Sequence, residues 1–269
     1  MNCKKTEKAI VMWLQERAIT SGHKGFVVGV SGGVDSAVVS KLCAMTSLKV
    51  KCLLLPIYQK SAETSLGAEH CEDLIKGYHN VTYSTIDLSK PFENMKEAAE
   101  QSGLSLIPDL SFGNMRSRLR MTMLYLFSNS LGYLVAGTGN YVEDGGGVGF
   151  FTKYGDGGVD ISPIGNLTKT QVFELAKWLD IIEGIQIAAP TDGLFNDGRT
   201  DEDQLGATYP ELEEAMEFCK RRDINTFADY IEKATAGDIL PSALVNYIQR
   251  HEANAHKMAM PPIGPEAIL

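Results

Sequence analysis

Residues 25–45, GFVVGVSGGVDSAVVSKLCAM, leave little choice of local structure. The run 25–30 is short, apolar and valine-rich, as a buried strand is, and 36–45 has its apolar residues at helical spacing. A strand that runs straight into a helix must bend at Gly32 and Gly33. Glycine there lets backbone N–H groups come close to a ligand, and the helix N-terminus behind them carries partial positive charge, so the turn suits a phosphate. It is not a P-loop of the GK[ST] kind: the lysine is missing and Asp35 stands near its place. A carboxylate beside a phosphate is repulsive unless a metal lies between them, so Asp35 reads as a Mg²⁺ ligand. The plainer reading makes it a first-turn acid favoured by the helix dipole.

Further apolar strand candidates lie at 50–55, 81–86 and 133–136, with helical patterns at 62–77, 91–102 and 114–131 between them. This alternation predicts an α/β fold, a doubly wound parallel sheet flanked by helices, with ligands at the carboxyl ends of the strands. In the 114–131 helix, Met115, Leu119, Met123 and Leu126 form the expected inward stripe, and Arg116 and Arg120 should point elsewhere. A chain of 269 residues fits one large domain, 1–269.

The first 22 residues read as an amphipathic helix, because Glu7, Glu16 and Arg17 interrupt any secretory apolar core. No apolar run approaches the ~20 residues of a membrane span. The expectation is a cytoplasmic protein. Five cysteines, scattered and never spaced CxxC, read as reduced thiols, with Cys43 and Cys52 in the core. A net charge of −9 opposes broad binding to nucleic acid or anionic membrane.

After the fourth strand, residues 137–165 contain ten glycines, yet also Glu143, Asp144, Lys153, Asp156 and Asp160. A long irregular segment of this kind is usually functional or disordered, and Phe150, Phe151 and Tyr154 argue against plain disorder. Helix resumes at 168–179 with Thr168 as N-cap. An acidic loop, 189–206, precedes a helix at 210–223 opened by Pro210, and a last helix at 241–254 leads into AHKMAMPPIG.

Three stretches together resemble one family: SGGVDSA at 31–37, FTKYGDGGVDISPIGNLTKTQVFELAKWL at 151–179, and HK followed by PPIG at 256–264. GNMRSRLRM, GTGN and PTDGL fall between them in the family's order. The chain is similar, over nearly its whole length, to the ammonia-dependent NAD synthetases of the ATP pyrophosphatase class. That resemblance implies a two-step reaction. The carboxylate of deamido-NAD (nicotinic acid adenine dinucleotide) attacks the α-phosphate of ATP and releases pyrophosphate; ammonia then attacks the adenylated carbonyl, giving NAD and AMP.

Carried over by position, the resemblance puts ATP on Gly29, Val30, Ser31, Gly32, Gly33, Val34, Asp35 and Ser36, with Thr138, Lys169 and Thr191. It makes Asp35 and Lys169 the catalytic pair. Lys169 is odd as a plain first-turn residue, because helix N-termini disfavour cations, and a phosphate in front of it would explain it. Deamido-NAD would meet Arg118, Lys153, Asp160, His256 and Lys257. Mg²⁺ would be held by Asp35 and Glu143, although extra glycine-rich length after Glu143 departs from the commoner pattern and Asp144 could share or replace its role.

The resemblance further implies a homodimer, supported by the surplus apolar surface of the 114–131 helix. No glutaminase domain is expected. Residues 143–158 and 190–204 are expected to be mobile and to close over the adenylate, with Gly145, Gly146 and Gly147 as hinge and Phe150 and Phe151 as cover. A tRNA-modifying adenylating enzyme would share the glycine turn but would want a catalytic cysteine pair and a basic face. A nucleotide-binding regulatory domain would keep the glycines and lose the charged residues, whereas Asp35, Glu143, Lys153 and Lys169 are all present.

Overall fold

The computed structural model describes residues 1–58, 61–103, 106–144, 146–191, 200–233 and 242–265. Its strands are β1 (Gly25–Gly29), β2 (Lys49–Leu54), β3 (Val81–Thr85) and β4 (Leu134–Val135), each within about two residues of the sequence expectation. They form one parallel sheet in the order β3-β2-β1-β4, with Val28 opposite Cys52 and Val27 opposite Val135. The helices, in chain order, are α1 (Cys3–Thr20), α2 (Val34–Met45), α3 (Ser61–Gly77), α4 (Ser89–Gln101), α5 (Asp109–Leu131) and α6 (Lys169–Trp178). There follow α7 (Glu183–Ile187), α8 (Asp201–Leu205), α9 (Tyr209–Arg222), α10 (Phe227–Lys233) and α11 (Ser242–Asn254), the last continued by a 3₁₀ turn over Ala255–Lys257. Among the described residues no helix is long and apolar enough to cross a membrane.

Successive strand residues face opposite sides of a sheet, and in β1 both sides are buried. Phe26 and Val28 pack with Leu14 of α1, Val38 and Leu42 of α2, and Leu175 of α6. Val27 turns the other way, with Leu53 and Leu55, onto Phe92 of α4 and the α5 residues Met115, Leu119 and Leu124. Each such apolar side chain, fully buried, contributes about 1.5–3 kcal/mol. Helices on both faces make the sheet doubly wound, as the alternation of strands and helices predicts. A separate cluster, Leu212 and Met216 of α9 with Leu244 and Ile248 of α11, packs on Val142 and Val148 of the glycine-rich segment.

One detail differs. Leu126 is 57% exposed, while Leu124 and Phe127 join the packed side of α5. The residues α5 buries most fully are small, Gly113, Ser117 and Ser128, so its inner face is rotated from the Met/Leu stripe and leaves Leu126 at the outer margin. The same rotation carries Arg120 inward, where its Nε donates to the Leu55 carbonyl at 3.0 Å.

Strand order fixes where a ligand can enter. The chain leaves β1 for α2 on one face and reaches β4 from α5 on the other, so a crevice opens between the carboxyl ends of these neighbouring strands.

Candidate active site

A cavity of about 960 Å³ occupies that crevice, and all eight residues from Gly29 to Ser36 line it. Gly32 has φ +93°, a conformation that residues with side chains rarely adopt. Two serines hold the turn: Ser31 Oγ accepts from the Gly33 N–H at 3.2 Å, and Ser36 Oγ accepts from the Ser31 N–H at 3.2 Å while donating to the Gly33 carbonyl at 2.9 Å. No side chain caps α2. Its first N–H groups lack intrahelical partners, as at any helix start, and Val34, Asp35 and Ser36 line the cavity.

Beside the turn lies a buried charged centre. Lys169 opens α6 behind the Thr168 capping box, as the sequence predicts for Thr168, and is 3% exposed. Its Nζ is 2.6 Å from Asp35 Oδ2 and 3.1 Å from Glu143 Oε1. Burial by itself would lower the lysine pKa, but the two carboxylates reverse this and raise it above the ordinary value. The anions in front of the helix N-terminus are thus carboxylates, which accounts for a cation there. Asn140, wholly buried, ties the two acids together. Its Nδ2 donates to Asp35 Oδ1 at 3.3 Å, and its Oδ1 accepts from the N–H groups of Val142 and Glu143 at 3.0 and 3.2 Å.

Among the described residues no group of three or more His, Cys, Asp or Glu could hold a metal by itself. Asp35 and Glu143 nevertheless supply the hard carboxylate oxygens that Mg²⁺ takes in company with substrate phosphates, so the donor chemistry fits that ion. Asp144 also lines the cavity, and burial, followed by the nearby Glu143, pushes its pKa well up. Glu143, not Asp144, meets Lys169.

Thr138, Thr191 and Lys257 join Asp35, Glu143 and Lys169 on the cavity wall. Arg118, Lys153, Asp160 and His256 do not line it. Three of these make a chain on the surface beside it: an Arg118 Nη donates to the Lys153 carbonyl at 3.3 Å, and Lys153 Nζ donates to the carbonyls of His256 at 2.5 Å and Ala259 at 3.2 Å. Asp160 has a local task, accepting from the Val135 N–H at 2.8 Å and the Tyr125 hydroxyl at 3.0 Å.

Carbonyls between Gly146 and Phe151 of the glycine-rich segment are held by one stripe of α11 and the turn after it. The Tyr247 hydroxyl donates to the Gly146 carbonyl at 3.2 Å, His251 Nδ1–H to Gly147 at 2.8 Å and Asn254 Nδ2 to Val148 at 3.0 Å. Lys257 Nζ completes the ladder on the carbonyls of Gly149 and Phe151 at 2.9 and 3.0 Å. Steps of three and four residues put these donors on one helix face. Gly145 of the expected hinge, and residues 192–199 of the second expected lid, lie outside the described residues.

Sequence reasoning passed over Asn140, Asp201, Tyr209 and Arg250. Arg250 lines the cavity and joins α11 to α8 through the Gln204 carbonyl at 2.5 Å. Asp201 opens α8, a helix inside what reads as an acidic loop. The signal available for it was the Thr200–Asp203 capping box.

A doubly wound sheet with a glycine-cornered turn at its switch point, facing a lysine held between two acids, places the chain among α/β proteins of nucleotide-binding architecture. The NAD synthase family model matches residues 6–261, and the chain belongs to that family of C–N bond-forming ligases. The NH3-dependent NAD(+) synthetase of Methanosarcina mazei is 34% identical over 266 residues, 98% of each chain. That of Carboxydothermus hydrogenoformans is 40% identical over 210 residues, 78% of this chain and 83% of the other. Among solved structures, NMN synthetase from Francisella tularensis matches with TM-score 0.82 at 32% identity, covering 99% of this chain and 100% of that one. The NH3-dependent NAD synthetase of Campylobacter jejuni matches with TM-score 0.75 at 28% identity, covering 98% and 100%.

Proposed function

We propose that this protein amidates deamido-NAD with ammonia at the expense of ATP, through an acyl adenylate, as the last step in making NAD. One observation carries the reading: Lys169, Asp35 and Glu143 meet beside the Gly32 turn in a single cavity of a chain that matches the NAD synthase model over residues 6–261. In the first step the carboxylate of deamido-NAD attacks the α-phosphorus and the bond to pyrophosphate breaks. The N–H groups of the 29–36 turn receive the charge that develops on that leaving group. The hydroxyls of Thr138 and Thr191 hold ATP, and the Lys169 ammonium draws the α-phosphate toward the turn. Asp35 and Glu143 would hold Mg²⁺, whose charge offsets that of the phosphates. In the second step ammonia attacks the activated carbonyl, AMP leaves, and the nitrogen gives up a proton.

Arg118, Lys153, Asp160, His256 and Lys257 are assigned to deamido-NAD. Arg118, Lys153 and His256 sit at the surface beside the cavity, where a second subunit could complete the site. Leu110 and Leu126 on the same helix as Arg118 are 58% and 57% exposed. A homodimer through α5 follows from both points, and a fully active monomer at micromolar concentration by sedimentation would overturn it. Residues 1–269 then act as one catalytic domain, since the cavity wall draws on the sheet and on α11 alike. The reaction is placed in the cytoplasm, where ATP is supplied.

The similarity to an NMN synthetase favours one second reading, amidation of the corresponding mononucleotide acid by the same chemistry. Incubation with ATP, ammonium and either deamido-NAD or nicotinic acid mononucleotide, with NAD, NMN, AMP and pyrophosphate measured, tests both. NAD formed at a higher kcat/KM than NMN supports the main reading; the reverse order replaces it, and neither product refutes both.

A further inference from the structure

The C-terminal helices send Tyr209 into the charged centre, a residue that neither the glycine turn nor the family resemblance assigns. Tyr209, the first residue of α9, is 3% exposed. Its hydroxyl donates to Glu143 Oε1 at 2.7 Å and lies 3.2 Å from Asp201 Oδ2. Its ring faces Lys169, whose Nζ is 4.8 Å from the ring centroid, a separation at which a cation is attracted to the ring.

The residue is anchored from three sides. Its N–H donates to Glu202 Oε1 at 2.9 Å, and Thr208 caps the helix that it begins. The ring sits in the core with Val142 and Leu212. A tyrosine hydroxyl carries its proton at neutral pH, so Tyr209 acts as the hydrogen-bond donor to the carboxylate.

The oxygen that Tyr209 holds is the one that Lys169 also holds at 3.1 Å. Glu143 Oε2 has no hydrogen-bond partner among the described residues. One carboxylate oxygen is therefore fixed twice and the other is left open. A glutamate held only by a lysine would follow that lysine whenever it turned to a phosphate; a phenol mounted on a different helix holds the glutamate independently.

We propose that Tyr209 is a positioning residue for Glu143, fixing its inner oxygen from the C-terminal helical cluster so that its outer oxygen stays directed at the cation that accompanies ATP. This rests on the reading above in which Asp35 and Glu143 hold Mg²⁺. Groups that orient a metal-binding side chain in this way change metal affinity by about 10- to 100-fold when removed.

Tyr209→Phe keeps the ring, its packing and its contact with Lys169, and removes only the hydroxyl. The test is Mn²⁺ binding to the ATP-loaded full chain, followed by water-proton relaxation against ATP alone, in wild type, Tyr209→Phe, Glu143→Gln and the double variant. The expected result is a Mn²⁺ dissociation constant raised about tenfold in Tyr209→Phe. The double variant should bind no more weakly than Glu143→Gln, because the phenol acts only through the carboxylate. In the amidation assay the Mg²⁺ concentration for half-maximal rate should rise in parallel, with kcat restored at saturating Mg²⁺. Wild-type affinity in Tyr209→Phe, or losses in the double variant that simply add, would overturn the proposal and leave the metal reading standing. If wild-type protein takes up no Mn²⁺ beyond that on ATP alone, the metal reading fails and this proposal fails with it.

Discussion

Lys169 Nζ and Asp35 Oδ2 lie 2.6 Å apart across 134 residues of chain, joining the first turn of α6 to the first turn of α2. Two helix N-termini so close would each repel a cation, and the pair exists because Asp35 and Glu143 together outweigh both that repulsion and the burial of the ammonium.

Asp35→Asn should abolish pyrophosphate release while leaving the fold intact. It removes one charge and no core volume, and Lys169 keeps Glu143 as a partner at 3.1 Å. A loss of at least about 100-fold in turnover is expected, the scale on which single electrostatic groups act in transition states. Lys169→Met differs in kind, because it strands two acids and should cost about 3–5 kcal/mol of stability as well as activity. Pyrophosphate release and thermal melts separate the two, and normal turnover in Asp35→Asn would remove that residue from the site.

Gly149→Ala should loosen the glycine-rich segment. Gly149 has φ +66°, and a Cβ there would come 2.3 Å from Asn254 Cβ, on the helix whose side chains hold the segment's carbonyls. Strain and collision together should cost at least about 1 kcal/mol. Hydrogen exchange at 147–151 should quicken and NAD formation should slow. The sequence expectation of a segment free until substrate binds is set against this network of hydrogen bonds. Equal exchange in wild type and variant would show that the ladder does not hold the loop.

His70 should make the protein acid-sensitive. It is 1% exposed, with Nε2 2.8 Å from the Ser40 hydroxyl on α2. Burial, helped by Lys41 and opposed by Asp73, lowers its pKa to about 4 from 6.5. The folded chain therefore binds fewer protons here than the unfolded chain as pH falls below 6.5, so stability drops through the window from 6.5 to about 4. Above pH 6.5 the imidazole is neutral in both states and contributes no pH dependence. At pH 4.5 the loss from this group alone should be about 2–3 kcal/mol. Melts of wild type and His70→Gln between pH 4.5 and 7.5 test it. The variant should show the shallower pH slope, and parallel slopes would exclude His70.

What the sequence made legible follows from how local each signal is. The β1–α2 turn and the four strands depend on runs of a few residues whose apolar pattern and glycines speak for themselves. All eight turn residues, with Thr138, Lys169, Thr191 and Lys257, line one cavity, whereas Arg118, Lys153, Asp160 and His256 do not. Leu126 and Arg120 were misread because a periodic stripe shows that a helix has an inner face but not its rotation; small buried residues such as Ser117 set that here. Tyr209 and Asn140 could not be found from spacing. Each earns its place through a contact with Glu143 or Asp35 made only in three dimensions, 66 residues apart for Tyr209 and Glu143.

Free ammonium should be the productive nitrogen donor, and glutamine with this chain alone should be poor. Releasing ammonia from glutamine by cysteine chemistry needs an accessible thiolate of lowered pKa. Four of the five cysteines are inaccessible, and the fifth lies outside the cavity. Cys43, Cys52, Cys71 and Cys219 are buried. Burial raises the Cys43 thiol, and burial raises Cys219 to about 11. Cys52 is pushed well up, first by a hydrogen bond with Cys71 and then by burial. Cys3 is not fully buried, but its Sγ lies against the carbonyls of Met1 and Glu174 at 3.9 Å, and it does not line the cavity. With no cysteine on the cavity wall the glutamine-supported rate should fall about 100-fold or more below the ammonium rate. The comparison uses purified protein, glutamine freed of contaminating ammonium, and ¹⁵N-amide glutamine against ¹⁵N-ammonium, with label read in the NAD carboxamide. Equal incorporation from the two donors would show that a nucleophile other than these cysteines releases ammonia within the chain.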